Sequence, residues 1–237
     1  MSDAVHLTPG EPTSGLVLTC EHASAALPNG YGSLGMADEE RFDHVGWDIG
    51  AAAVGRHLAR EFGAPLIESA WSRLLIDCNR DLSDHDLIVA DSHGVHVPGN
   101  RHLPAGERER RIREFYHPYH DAIDGVMNAA RPRLLFSLHS FTPVLRGRER
   151  GFDVGVLFDD HFDHAEALYA ALEAQSFAAR RNEPYSGLDG LIYSARTHGR
   201  RHAVPYLEIE INNGLLRRDE QIAEVAVRVA AALRQVL

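Results

Sequence analysis

The chain has 237 residues, 44% of them hydrophobic, enough to bury one sizeable core and giving no cause to divide it. Its 24 basic residues face 34 acidic ones, and the resulting formal charge of −10 opposes nucleic acid or an anionic membrane surface as a main partner. All the basic residues other than histidine are arginine, which removes Schiff-base lysine chemistry, and 15 histidines is the one unusual count.

Residues 1–15 are acidic and polar where a secretory leader has a basic end and an apolar run, and no apolar stretch reaches membrane-spanning length. Cys20 and Cys78 are too few for a disulfide framework and form no Cys-x-x-Cys pair. A soluble, unexported protein of the reducing cytoplasm is expected, with its oligomeric state left open.

Residues 15–20 (GLVLTC) read as a buried strand carrying Glu21 and His22 at its carboxyl end, the end at which open α/β sheets bind ligands. Residues 28–34 have loop composition. The spacing of Val45, Ile49, Ala53, Leu58 and Phe62 predicts a helix over 44–62, with Asp48 near its start. Strands are predicted at 65–68 and 73–77 (RLLID), the latter ending at Cys78-Asn79-Arg80, and 83–101 reads as a long irregular excursion. A charged helix follows over 107–127, which Pro118 is expected to kink or divide. Residues 134–138 (LLFSL) form the next buried strand, ending at His139-Ser140, then 153–158 a strand and 164–177 a helix. Residues 205–211 alternate as a strand and 219–237 close the chain as an amphipathic helix. This alternation predicts a single α/β domain over 1–237, a three-layer sandwich with a mixed, mostly parallel central sheet covered on both faces.

Two apolar strands thus end in histidines flanked by small polar residues, Cys20-Glu21-His22-Ala23-Ser24 and Ser137-Leu138-His139-Ser140-Phe141. Facing the same side of a sheet, His22 and His139 can share a metal; the plain alternative is two unrelated loop histidines. A catalytic zinc takes three protein ligands, and Asp48, flanked by Gly46 and Gly50, is the candidate third. A helix-capping role is its alternative, and Glu21, Asp43 and His44 compete for the position. Glu208 and Glu210 alternate with Leu207, Ile209 and Ile211, so both carboxylates face one side of a strand that is otherwise continuously apolar. Glu210 is the candidate general base, while Glu208 is expected to pair with an arginine or support a ligand. Arg73, as a helper of the oxyanion, and Asn79 with Arg80, as holders of a substrate carboxylate, are weighed against a plain Arg73–Asp77 structural pair. Arg146 stands in a basic loop able to meet an anionic substrate, and Tyr185 in a turn-rich segment able to line a pocket.

At these residues the chain resembles the N-formylglutamate amidohydrolase family, whose members are similar in fold to zinc carboxypeptidases and the aspartoacylase group, a phosphorylase/hydrolase-like architecture. Glu-His-Ala-Ser, His-x-x-x-Asp-Ile-Gly-Ala, Ser-Arg-Leu-Leu-Ile-Asp-x-Asn-Arg, Ser-Leu-His-Ser-Phe, Asn-Glu-Pro-Tyr-Ser and Glu-Ile-Glu-Ile follow in that family's order over 16–216. The resemblance implies Zn2+ or another divalent metal on His22, His139 and Asp48, Glu210 as the catalytic glutamate and Asn79-Arg80 as the carboxylate-holding pair. It implies hydrolysis of a small-molecule N-acyl amino acid such as N-formylglutamate. Hydrolysis of another acyl amino acid or small peptide, or ligand binding without turnover, remain the alternatives. Two departures stand out: Glu210-Ile211-Asn212-Asn213 where the family commonly has Glu-Ile-Arg-Gln, and Ala25 where a carboxypeptidase His-x-x-Glu pair would place its glutamate.

Overall fold

Seven strands align because short β-branched and leucine-rich runs alternate with helices that each have one apolar face. The computed structural model describes residues 3–92 and 94–237. In chain order the strands are β1 (Val5–Thr8), β2 (Leu16–Cys20), β3 (Leu66–Ser69), β4 (Leu134–Phe141), β5 (Val154–Leu157), β6 (Ala179–Arg181) and β7 (Tyr206–Asn212). The principal helices are α1 (Ala51–Phe62), α2 (His117–Ala130), α3 (Phe162–Ala174), α4 (Tyr193–His202) and α5 (Asp219–Leu233). The sheet order is β1-β3-β2-β4-β7-β5-β6. The central strands β3, β2, β4 and β7 run parallel, while β1 against β3 and β5 against β7 are antiparallel. The sheet is therefore mixed and mostly parallel, as expected.

Each face has its own core. Leu18, Leu66, Phe136, Leu138, Ile209 and Ile211 pack with Val54 and Leu58 of α1, Leu168 and Leu172 of α3, and Val225 and Val229 of α5. On the opposite face, Val17, Ile67, Leu135 and Tyr206 meet Tyr119, Ile123 and Met127 of α2 and Ala195 of α4. Period-two alternation decides which side chain joins which layer. No helix among the described residues is long and apolar enough to cross a membrane.

Four local expectations need correction. Helix α1 begins at Ala51, and 44–50 form turns that end at Gly50 in a left-handed conformation, φ 84°. A Cβ on Gly50 would also lie 2.5 Å from Leu216 Cβ, so only glycine suits this entry to the helix. Residues 73–77 are a turn over 73–75 followed by irregular backbone, and not a strand. Leu74 O and Leu75 O accept hydrogen bonds from Asn100 Nδ2 and Arg111 Nη1, at 2.7 and 2.9 Å, so the acceptors a ladder would need are taken by side chains. His139 and Ser140 lie inside β4, which runs on to Phe141, so His139 projects from a sheet face. The charged helix is neither broken nor sharply ended at Pro118: Glu107–Arg111 continues through a π-helical turn, Ile112–Tyr116, into α2. The widened turn accommodates a residue that has no N–H and whose ring crowds the carbonyl four residues back.

A clasp built on Arg111 helps to tie down the excursion at 83–101. Arg111, buried, donates through Nη1 to Asn100 Oδ1 at 2.7 Å, while its Nε donates to Glu107 Oε1 at 2.9 Å. Asn100 Nδ2 in turn reaches Val89 O at 2.7 Å. Burial raises the Glu107 carboxyl's pKa, but hydrogen bonds from Arg110 and Arg111 outweigh it and bring the value down to about 2. A carboxyl whose folded pKa lies below its unfolded value of about 4.3 stabilises the fold above that pH, and the contribution disappears as the pH falls through the folded value. Glu107→Gln is thus expected to lower the unfolding free energy in urea by about 1 kcal/mol at pH 7. The gap to wild type should narrow as pH is taken from about 4.3 towards about 2; a gap independent of pH would contradict the clasp.

Candidate functional site

Where α2 and α4 leave the sheet uncovered, one face changes from apolar to polar along three adjacent strands. On β2 the sequence passes from Val17 to Thr19 and on to Glu21; on β4 from Leu135 to Ser137 and His139; on β7 from Tyr206 to Glu208 and Glu210. Register then sets neighbours: Ser137 lies between Thr19 and Glu208, and His139 beside Glu210. The polar patch floors a cavity of about 380 Å³ whose walls include Val89, Asp86 and Asp91 of the clasped excursion.

The two histidines approach edge to face, their ring centroids 4.7 Å apart. His139 Nε2 donates to Glu21 Oε2 at 3.0 Å, and its Nδ1 lies 2.8 Å from Asp48 Oδ2. His22 Nε2 pairs with Asp77 Oδ1 at 2.8 Å, while its Nδ1 is buried without a hydrogen-bond partner, 3.4 Å from the same Asp48 oxygen. Each imidazole therefore has a carboxylate behind it and turns its Nδ1 towards Asp48. The two backing carboxylates are fixed as well: Glu21 accepts from Ser137 Oγ at 2.7 Å and Tyr119 OH at 3.0 Å. Asp77 accepts from Arg73 Nη2 at 2.7 Å and from Asn79 N at 2.8 Å.

Glu21, Asp48, Asp77, Glu208 and Glu210 are all buried, beside two imidazoles and Arg73. Burial alone would raise every one of these carboxyls. Asp48 is nevertheless held well below the ordinary carboxylate range by His22 and His139, Glu21 by His139 and Ser137, and Asp77 by Arg73 and His22. Burial lowers the His139 pKa, yet the carboxylates of Glu208, Asp48 and Glu21 carry it well above its usual value. Glu208 rises to about 7 through burial, with Glu21's charge adding to it. Glu210 is raised well above its usual value as well, through burial and the charges of Asp48 and Glu208. Its Oε2 is buried and has no partner.

This donor set fits a divalent cation. One nitrogen of each imidazole and one carboxylate oxygen lie within 4.8 Å of one another, and each Nε2 is paired with a carboxylate as in histidine–metal centres. The orphaned His22 Nδ1 and the crowding of buried carboxyls around it are what such an ion would satisfy.

All nine residues singled out from the sequence, His22, Asp48, Arg73, Asn79, Arg80, His139, Arg146, Tyr185 and Glu210, line this one cavity. Some contacts differ from expectation. The Asn79 amide is engaged by the wall itself, donating to Leu191 O and Glu208 Oε2, both at 3.3 Å, and accepting from Ser194 N at 2.9 Å. Of the two expectations for Glu208, an arginine partner or support of a ligand residue, its contacts with that amide and with the candidate ligand His139 match the second. The Arg73–Asp77 pair forms and also serves the site, because Asp77 is the partner of His22. Among the competitors to Asp48, Glu21 is committed behind His139, Asp43 is exposed and bonded to His44 N, and His44 lines the cavity. Asn212 turns away to Phe152 O and Gly214 N, at 3.0 and 2.9 Å, so the departure from the family's arginine falls outside the lining. Sequence reasoning missed the supporting roles of Asp77 and Tyr119. Tyr119 lies four-tenths of the chain from Glu21, and only the fold brings α2 over β2.

Comparison with known proteins bears on this geometry. The sequence profile of the N-formylglutamate amidohydrolase family matches residues 14–217. The crystal structure of a gene product from Agrobacterium tumefaciens superposes with a TM-score of 0.91 at 34% identity, covering 98% of this chain and 94% of that one. An N-formylglutamate amidohydrolase from Ralstonia eutropha superposes with a TM-score of 0.75 at 20% identity, covering 99% and 96%. A bacteriophage poly-gamma-glutamate hydrolase shares the fold at a TM-score of 0.51 and 9% identity, covering 98% and 88%. No curated protein matches the sequence.

Proposed function

The chain belongs to the N-formylglutamate amidohydrolase family, and from that premise we propose that it hydrolyses the amide bond of an N-acyl amino acid, N-formylglutamate foremost, with a divalent cation such as Zn2+. The observation that carries the reading is the pair of carboxylate-backed imidazoles turned on Asp48 with the unpartnered Glu210 carboxyl in the same cavity. His22 and His139, through Nδ1, and Asp48 would hold the cation. When bound, it supplies Lewis acidity towards the acyl carbonyl and lowers the pKa of water.

Glu210 takes a proton from the attacking water as the new C–O bond forms and the carbonyl π pair moves onto oxygen. In its ionised form a buried carboxylate with a raised pKa is a stronger base than an ordinary one, and the departing amine, a stronger base still, takes the proton from it. Arg73, held by Asp77, opposes the developing oxyanion charge. Collapse restores the carbonyl and breaks the C–N bond, with Glu210 delivering its proton to the departing amine. The products are a carboxylate, formate for a formyl substrate, and the free amino acid. Arg80 and Arg146 supply positive charge for the substrate's carboxylates. Arg146 sits in the Arg146-Gly147 turn between two short paired strands, Val144–Leu145 and Arg148–Glu149, with φ 51° and 75° at the two turn residues. Asn79 acts from within the wall, positioning Glu208. Tyr185, against the Arg150 guanidinium, forms a side of the pocket.

Formate release from N-formyl-L-glutamate, followed beside N-formyl-L-glutamine, tests the substrate reading: the glutamate derivative is expected to be preferred, and absence of turnover with either removes it. Glu210→Gln should lower kcat by about 10²–10⁴-fold while leaving cation content intact. Asp77→Ala removes the acceptor behind His22 and is expected to weaken cation affinity about 10–100-fold in competition with a chromophoric chelator. Unchanged affinity would count against His22 as a ligand.

A further inference from the structure

A second group of ligand-type side chains lies outside the cavity, between α2 and α4. His198 and His202, four residues apart, share one face of α4. His198 Nδ1 and His202 Nε2 converge on a single oxygen, Asp124 Oδ1 of α2, at 2.7 and 2.8 Å. The other oxygen of Asp124 is paired with Arg201 Nη1, on an arm that is 57% exposed. Behind His198, its Nε2 lies 2.8 Å from His120 Nδ1, and His120 Nε2 is buried without a partner. None of these residues lines the cavity.

We propose that Asp124, His198 and His202 form a second divalent-cation site, of the kind suited to Zn2+, that staples α2 to α4. Two imidazole nitrogens and one carboxylate oxygen within 4.8 Å of one another are a three-ligand set for zinc. A tetrahedral ion with bonds of about 2.0 Å holds its ligand atoms about 3.3 Å apart, so each imidazole nitrogen needs to draw back from Asp124 Oδ1 by only about half an ångström. His202 and Asp124 remain 13% and 21% exposed, which leaves a side open for a water as fourth ligand. Binding requires neutral imidazoles.

The His198–His120 relay suits an ion. To bind through Nδ1, His198 carries its proton on Nε2 and donates it to His120 Nδ1. His120 then keeps its own proton on Nε2, where no other group competes for it. His202 binds through Nε2 with its proton on Nδ1.

The place of the staple gives it a consequence. Helix α2 also carries Tyr119, which braces Glu21 behind His139, and the first turn of α4 gives Ser194 N–H to Asn79. An ion joining the two helices fixes the layer that supports the cavity from behind, without touching substrate.

The test uses chelator-stripped full-length protein titrated with Zn2+ alone, with retained metal counted after gel filtration and Tm recorded by circular dichroism. His202→Gln and Asp124→Asn should each retain one equivalent less than wild type, and the same difference should persist when His22→Ala is present in both proteins compared. In the His22→Ala protein, saturating Zn2+ should raise Tm by at least about 5 °C, and the addition of His202→Gln should abolish that rise. Equal metal content with equal Tm response in these pairs overturns the staple and shows a cluster held by hydrogen bonds only. Failure of the cavity's cation reading would show separately, as metal content unaffected by His22→Ala itself.

Discussion

Carboxylates standing behind two imidazoles are the constraint on which the site depends. Glu21 fixes His139 and Asp77 fixes His22, and through them the two Nδ1 atoms are set towards Asp48. Neither carboxylate is stable there by itself, since burying an unpaired charge costs several kcal/mol. Glu21 is held by Ser137 and Tyr119, and Asp77 by Arg73 and the backbone of Asn79. The strands, α2 and the turns after β3 thus meet at the site as suppliers of second contacts. A cation there would oppose the burial and mutual repulsion that raise the Glu208 and Glu210 carboxyls.

The sheet explains why these groups face one another. Parallel pairing of β2, β4 and β7 puts their carboxyl-terminal halves side by side, and period-two alternation puts Glu21, His139, Glu208 and Glu210 on one face. The opposite face of the same strands stays apolar and packs against α1, α3 and α5. A register slip by one residue would exchange the two sets, burying the carboxylates among leucines. Strong apolar burial on one side therefore holds a costly polar arrangement on the other.

Much of this was legible in the sequence because the signals were local. Alternation along 205–211 placed Glu208 and Glu210 together, and apolar runs ending in polar residues pointed to His22 and His139. The turn at 73–75 and the irregular backbone after it were not legible. Arg73-Leu74-Leu75-Ile76-Asp77 has strand composition, and what prevents a strand is the capture of its carbonyls by Asn100 and Arg111, residues distant along the chain. Asp77 as partner of His22 was hidden for the same reason, since the contact spans 55 residues and depends on that turn. The helix start at Ala51 was misplaced because the hydrophobic period continues through the turns before it, and only the left-handed Gly50 marks the boundary. The pairing of Asp124 with His198 and His202 likewise awaited the packing of α2 on α4.

The central claim is that one divalent ion is held jointly by His22 Nδ1, His139 Nδ1 and Asp48. Anomalous diffraction at the zinc edge from crystals grown with Zn2+ addresses it directly. A peak within about 2.0–2.2 Å of all three donor atoms is the predicted result. Zinc bound only elsewhere on the molecule, with the cavity between the two rings empty of anomalous signal, would contradict it.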